Sequence, residues 1–211
     1  MLRRAGLAFS FCMGCTLDTV GNGTVVEDPR LVDGFTSIRV SDAIGATVEA
    51  DPSVSVAIVS DSNLVDFVVA QVDAGELRLS MENGMTVEAT ELSAKVGLPV
   101  FDKLTLDGSG AVDAMEVQAS TFVLTSSGSG PATLGGTCVT LEIEASGSST
   151  IDASALACDN VHVTLSGQGI VTVFAALAVD GSVDGDATLN VQGAPSLQDV
   201  RVYGNGSVVY E

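Results

Sequence analysis

A short glycine turn recurs six times in the second half of this chain, as Gly108-Ser-Gly110, Gly128-Ser-Gly130, Gly147-Ser-Ser149, Gly167-Gln-Gly169, Gly185-Asp-Ala187 and Gly204-Asn-Gly206. The first glycines of successive turns are 20, 19, 20, 18 and 19 residues apart. A period of that length marks stacked repeats, each too small to bury its own apolar face and each completed by the next.

Aligned on the first glycine, the flanks alternate. Four positions before it stand Leu104, Leu124, Ile143, Val163, Gly181 and Val200. Two before it stand Leu106, Ser126, Ala145, Leu165, Val183 and Val202, and between these rows lie Thr105, Thr125, Glu144, Thr164, Ser182 and Arg201. Four after it come Val112, Ala132, Ile151, Val171, Leu189 and Val208. Period-2 alternation on both sides of a turn describes short strands. Stacking aligns equivalent strands in parallel, with the Leu, Ile and Val rows inward. The expected fold is all-β, a parallel β-helix with coils of about 19–20 residues, right-handed by the bias of parallel crossovers. Six coils at about 4.8 Å each give a rod of roughly 29 Å. The chain is 46% hydrophobic but only 4% aromatic and has no Trp, so its core is built from small and β-branched side chains that suit narrow stacked sheets.

Before the glycine turns, Ile38–Val40, Thr47–Glu49, Val54–Ile58, Phe67–Val69 and Leu77–Leu79 read as strands, with turns at Asp61–Asn63 and Asp73–Gly75. About three further, larger coils are expected here, continuous with the later ones. A separate β-sandwich cap over residues 34–90 is the competing arrangement. The final strand, Ser207–Tyr210, leaves an open edge on the last coil, which predicts end-to-end pairing with a second copy as a homodimer.

The formal charge is −19, from 27 acidic and 8 basic residues. Residues 104–200 hold 11 Asp or Glu and no Lys or Arg. Such a surface repels phosphates, which excludes nucleic acid as a partner. It disfavours anionic lipids and polysaccharides for the same reason.

The chain opens Met-Leu-Arg-Arg, runs uncharged from Ala5 to Gly14 and reaches Cys15. A basic start and a ten-residue apolar run have the layout of a secretory signal. As a helix the run spans roughly 15 Å, about half a hydrocarbon core. Cys12-Met13-Gly14-Cys15 resembles a bacterial lipobox, with Cys12 at the usual leucine position. The expected organisation is a lipoprotein-type signal over 1–15 with lipidation at Cys15, a tether over 16–33 and the β-helix over 34–211. Cleaved secretion without lipid and an uncleaved start are the alternatives.

Cys138 and Cys158 sit one repeat apart, at offsets +10 and +11 from their turns. Stacked neighbours lie about 4.8 Å apart, within the Cα range of a disulfide, and export permits the bond. Two reduced, buried thiols are the alternative. The one histidine, His162, alternates with Val161 and Val163 and should point outward, so no metal site is expected.

Five positions after the first glycine of the first five turns stand Asp113, Thr133, Asp152, Thr172 and Asn190, a candidate polar ligand row on an outer face. Asp113 and Asp152 should be two coils, roughly 9–10 Å, apart, near the upper limit for an inverting glycosidase pair. No apolar wall to raise a carboxyl pKa and no aromatic platform for a sugar ring accompanies them. Residues 104–200 supply no Lys or Arg to meet the acid group of a lyase substrate, no EF-hand spacing and no phosphate loop. The row reads as a solvated Asp/Thr/Asn ladder, with no catalytic residues and no cofactor.

Phe35-Thr-Ser-Ile38-Arg-Val40, Asp61-Ser-Asn63-Leu64, Gly75-Glu-Leu77-Arg-Leu79 and the run of glycine turns together resemble the head GIN domain family over about residues 34–211. The chain departs from the pattern at Gly185-Asp-Ala187, where the second turn glycine is missing. The resemblance implies a right-handed β-helix in an exported bacterial protein, often with a lipoprotein signal, of a family described as auto-transporter adhesins. It carries over no catalytic residues. The expected role is a non-catalytic structural or adhesive module in the cell envelope, anchored to the outer membrane by lipid only, with an envelope protein or glycan as partner. An envelope glycoside hydrolase on the same solenoid and an envelope-stress sensor are the alternatives.

Overall fold

The computed structural model describes residues 17–82 and 85–211; the signal segment and the lipidation candidate Cys15 lie outside the described residues. The first strands are β1 (Leu17–Val20), β2 (Val25–Arg30), β3 (Ser37–Val40), β4 (Gly45–Ala50) and β5 (Ser55–Asp61). After one 3-10 turn, Val65–Phe67, come β6 (Val68–Asp73), β7 (Glu76–Met81), β8 (Met85–Glu88), β9 (Leu92–Leu98) and β10 (Lys103–Leu106). The repeats form β11 (Val112–Ser126), β12 (Ala132–Ala145), β13 (Thr150–Leu165), β14 (Ile170–Gly185), β15 (Thr188–Gln192), β16 (Leu197–Gly204) and β17 (Ser207–Tyr210). They wind a parallel β-solenoid of about five turns.

Register follows the repeat. Leu104 pairs with Leu124, Leu124 with Ile143, and Ile143 with Val163. All four are buried. Removing each from water contributes about 1.5–3 kcal/mol before chain entropy is counted. The column narrows at Gly181, which pairs with Val163 at φ +132, and a Cβ there would lie 1.9 Å from the Val163 carbonyl oxygen. The polar intruder in the neighbouring column, Ser126, is also buried. Its hydroxyl lies 2.9 Å from that of Ser149, equally buried, so each satisfies the other. Ser149 stands where most of the turns have a second glycine.

The first glycine of each turn is fixed by backbone contact. The Ser129 N–H donates to the Gly108 carbonyl, Ser148 to Gly128, and Gln168 to Gly147. These bonds carry the parallel ladder around the corner and press stacked turns together. A Cβ on Gly128 would lie 2.0 Å from the Gly108 oxygen, and one on Gly147 would lie 1.9 Å from that of Gly128. Close approach governs these turns, whereas positive φ governs Gly185 (+79) and Gly204 (+86).

The N-terminal half continues the later stack, as expected, but with two parallel layers, β3–β4 and β7–β9, in place of three, and they are stacked out of chain order. β3 and β4 stack directly on β10 and β11, whereas β7 and β9, which come between them in sequence, pair on the far side of β3 and β4. The chain goes outward to build the terminal coil, then passes back to continue the stack. Beyond that coil the pairing turns antiparallel, with β6 on β7, β5 on β9 and β2 on β5. The β6–β7 hairpin turns at Ala74 (φ 50) and Gly75 (φ 82), the two positive φ values that a tight hairpin requires. No separate sandwich forms, because these strands share the solenoid's sheet.

The stretch expected as a tether is in part paired structure. β1 lies parallel to β8, and β2 lies on β5 as an edge strand that accommodates Pro29. Asp61 fastens it. Its buried carboxylate accepts from the N–H of Gly23 at 2.6 Å and of Thr90 at 2.7 Å, and from the Thr90 hydroxyl at 3.1 Å. Burial pushes this carboxyl up, but the converging N–H and hydroxyl donors outweigh it and hold it below its ordinary value. The inserted coil has an ionic fastening. Arg39 on β3 donates to Glu76 on β7 at 3.0 Å and pairs with Asp107 in the first glycine turn.

Gly128→Ala is expected to destabilise by about 1–3 kcal/mol, because the added methyl meets a carbonyl that cannot rotate away. Urea denaturation measures this, with exposed Ser129→Ala as the near-neutral control. The depressed Asp61 carboxyl contributes stability that is present above its ordinary value of 3.8 and is lost as pH falls through the lower folded-state value. Wild type is therefore expected to lose stability below about pH 4 more steeply than Asp61→Asn, as read by thermal melts across that range.

Candidate functional site

The outer faces of the solenoid carry ladders one residue wide. The register places Asp113 beside Thr133, Thr133 beside Asp152, Asp152 beside Thr172, and Thr172 beside Asn190. The row continues from Asp113 through Thr47 to Lys95. Its side chains alternate with the buried Val112, Ile151, Val171 and Leu189, which is why they face outward.

Asp152 accepts from the Ser154 hydroxyl at 2.6 Å and from its N–H at 3.0 Å. Those two bonds, hydroxyl first, hold its carboxyl below the ordinary value despite some burial. The shift is downward, the opposite of what a proton donor to a glycosidic oxygen needs. Asn190 donates to the Thr172 hydroxyl at 3.3 Å. The row is an open ladder of acceptors and hydroxyls at a repeat of about 4.8 Å. It suits binding an extended partner at several points.

A second polar surface runs along the glycine corners and was not singled out from the sequence. Asp42, Asp107, Ser109, Ser127, Ser129, Ser146, Ser148 and Gln168 line a shallow trough there. Ser127 donates to Asp107 at 3.0 Å. The signal lay within the repeat itself, since six of the twelve residues on either side of the first turn glycines are serine. On the sheet before the corners, His162 is 52% exposed, with Nδ1 2.7 Å from an Asp180 carboxylate oxygen. Among the described residues no three His, Cys, Asp or Glu side chains gather into a metal-holding group. The half-enclosed cleft between Val48–Pro52, Leu98–Phe101 and Met115–Gln118 measures about 220 Å³. That is below the about 300–1,000 Å³ of small-molecule sites.

Cys138 and Cys158 are stacked partners on adjacent coils, bonded to each other with Cα atoms 4.6 Å apart. Closing a loop of this size contributes about 3 kcal/mol in the chain-entropy account. Trypsin has no site between Lys103 and Arg201, so both cysteines fall in one fragment. Under non-reducing conditions that fragment is expected to weigh about 2 Da less than after reduction. An unchanged mass would show two free thiols.

Residues 34–195 match the family model described as "Putative auto-transporter adhesin, head GIN domain". The fold is similar to that of a solved protein from Bacteroides fragilis NCTC 9343 described as a putative adhesin. The TM-score is 0.74 and the identity 19%, covering 91% of this chain and 99% of that one. A protein from Parabacteroides distasonis ATCC 8503 described as a putative lipid binding protein is similar at TM-score 0.56 and 19% identity, with 92% and 100% covered. One from Parabacteroides merdae ATCC 43184, described as a putative adhesin, is similar at TM-score 0.51 and 18% identity, with 92% and 99% covered. At these identities the likeness is one of fold. No curated protein matches the sequence. The family model spans well over half of the chain, from the strand before β4 to the turn before β16. On that match the chain belongs to the head GIN domain family.

Proposed function

We propose that this protein is a non-catalytic adhesive module of the bacterial cell envelope, exported and held to the outer membrane by lipid on Cys15. Membership of a family described as adhesins supports the adhesive reading. The observation that carries the mode of binding is the outward ladder from Asp113 to Asn190, repeated coil after coil in one register. Each rung offers little affinity alone. Several equally spaced rungs held by a rigid sheet engage an extended partner together, and the second and later contacts form at high effective concentration. The charge of −19 selects the partner: a neutral glycan or a basic protein surface fits, and an anionic polymer does not.

Two substitutions on the ladder, Thr133→Arg with Thr172→Arg, are expected to lower adhesion of beads coated with the full chain to envelope fractions by about tenfold or more, because bulky cations break the row. Adhesion equal to wild type would overturn the ladder as the binding face. Asp113→Asn with Asp152→Asn should leave glycan release at background, as in wild type; release that is present in wild type and lost in the pair would replace the adhesive reading with a hydrolytic one. Metabolic labelling with a palmitate analogue should mark wild type and not Cys15→Ser, and unlabelled wild type would remove the anchor.

A further inference from the structure

Among the described residues no strand lies beyond β16 on its outer side, so its backbone N–H and C=O groups face out along a whole edge. An inward column that is buried in every earlier coil surfaces here. Val202 continues the column of Leu165 and Val183 yet is 45% exposed. On the outer face Leu197 is 67% and Tyr203 54% exposed. Long, apolar, unpaired edges recruit another strand.

The sequence of β16 indicates which strand fits. It reads Leu197-Gln-Asp199-Val200-Arg201-Val202-Tyr203. An antiparallel copy of the same strand, with Val200 on the twofold axis, sets Asp199 of each copy opposite Arg201 of the other. It also sets Leu197 opposite Tyr203, and Gln198 opposite Val202. Every pair joins residues of the same face, as antiparallel pairing requires. The two charge pairs are cross-strand pairs of opposite sign, the favourable kind.

Within one chain the charges are poorly used. Asp199 and Arg201 are 76% and 70% exposed, and their closest approach is 3.9 Å. On its covered side Asp199 has a like charge, Asp180, as its ladder partner. A cation arriving from the open side relieves that repulsion. We propose that two copies of this chain associate through β16, antiparallel about Val200, into one continuous sheet spanning both solenoids. The contact uses the same patch on both copies, so it closes as a dimer and does not extend into a filament. It is independent of what the ladder from Asp113 to Asn190 binds.

Sedimentation equilibrium of the full chain in about 0.15 M salt is the test, since screening there suppresses the general repulsion between two acidic bodies. The mass is expected to rise with concentration from 21.3 kDa towards twice that value. Arg201→Asp places four carboxylates across the two pairs, and Asp199→Arg places four cations. Each single reversal is expected to raise the dissociation constant at least about tenfold, while the double exchange restores it to within about threefold of wild type. Both positions are exposed, so far-UV circular dichroism should match wild type for every variant. A mass of one chain at all concentrations would overturn the proposal. So would a dimer indifferent to the single reversals, or one that the double exchange does not restore.

Discussion

The backbone ladder that continues through the glycine corners is the interaction on which the rest of the molecule depends. Ordinary parallel strands can separate at their turns, because the turns need not touch. Here the turn N–H groups of Ser129, Ser148 and Gln168 donate to the glycine carbonyl one coil away, so strand and corner share one repeat. That contact leaves no space for a Cβ on the first glycine. It holds each coil in vertical register with the next, and vertical register in turn makes columns of Leu104, Leu124, Ile143 and Val163 on the inside. The same register makes ladders of Asp, Thr and Asn on the outside. Core and outer ladder are two consequences of one spacing.

The two extremities of the described solenoid differ. At the first, the chain reverses direction: β6, β5 and β2 run antiparallel to what they cover. Asp61 ties β5 to the segment around Gly23 and Thr90, and Arg39 ties the inserted coil across to Glu76 and Asp107. At the other, β16 leaves the inward Val202 half exposed and carries Leu197 and Tyr203 uncovered on its outer face. Polar fastening at one end and apolar exposure at the other give the rod a direction. The lateral ladders and the terminal edge are separate surfaces.

The repeating half was legible because its period is carried by residues with a physical reason to recur. Glycine at the corner and Leu, Ile or Val four positions either side were enough to set the fold and the register. The buried Ser126 looked like a defect in an inward row; its partner Ser149 occupies the place of a turn glycine, and only three-dimensional proximity joins the two. The N-terminal half was legible as strands, since Ile38–Val40 and Leu77–Leu79 alternate clearly, but not as an order. Parallel neighbours look alike whichever way they are stacked, and nothing local distinguishes β7 placed before β3 from β7 placed after it. The stretch expected as a tether, 16–33, was misread because Gly, Asn, Thr and Asp are frequent in it, while the strand β2 is stabilised by β5, some thirty residues on. The outer row from Asp113 to Asn190 was readable from alternation alone, whereas the lowering of the Asp152 carboxyl below its ordinary value depends on Ser154, whose hydroxyl reaches back two residues.

The stacking order is tested most directly by methyl contacts in solution. Nuclear Overhauser effects between methyl-labelled Leu, Ile and Val should link Leu77 to Ile38, Ile38 to Leu104, Leu104 to Leu124 and Leu124 to Ile143 in one unbroken series. Ile38 lying between Leu77 and Leu104 is the result that this account requires. Leu77 touching Leu104 with Ile38 elsewhere, or the absence of any series at the repeat spacing, would contradict it.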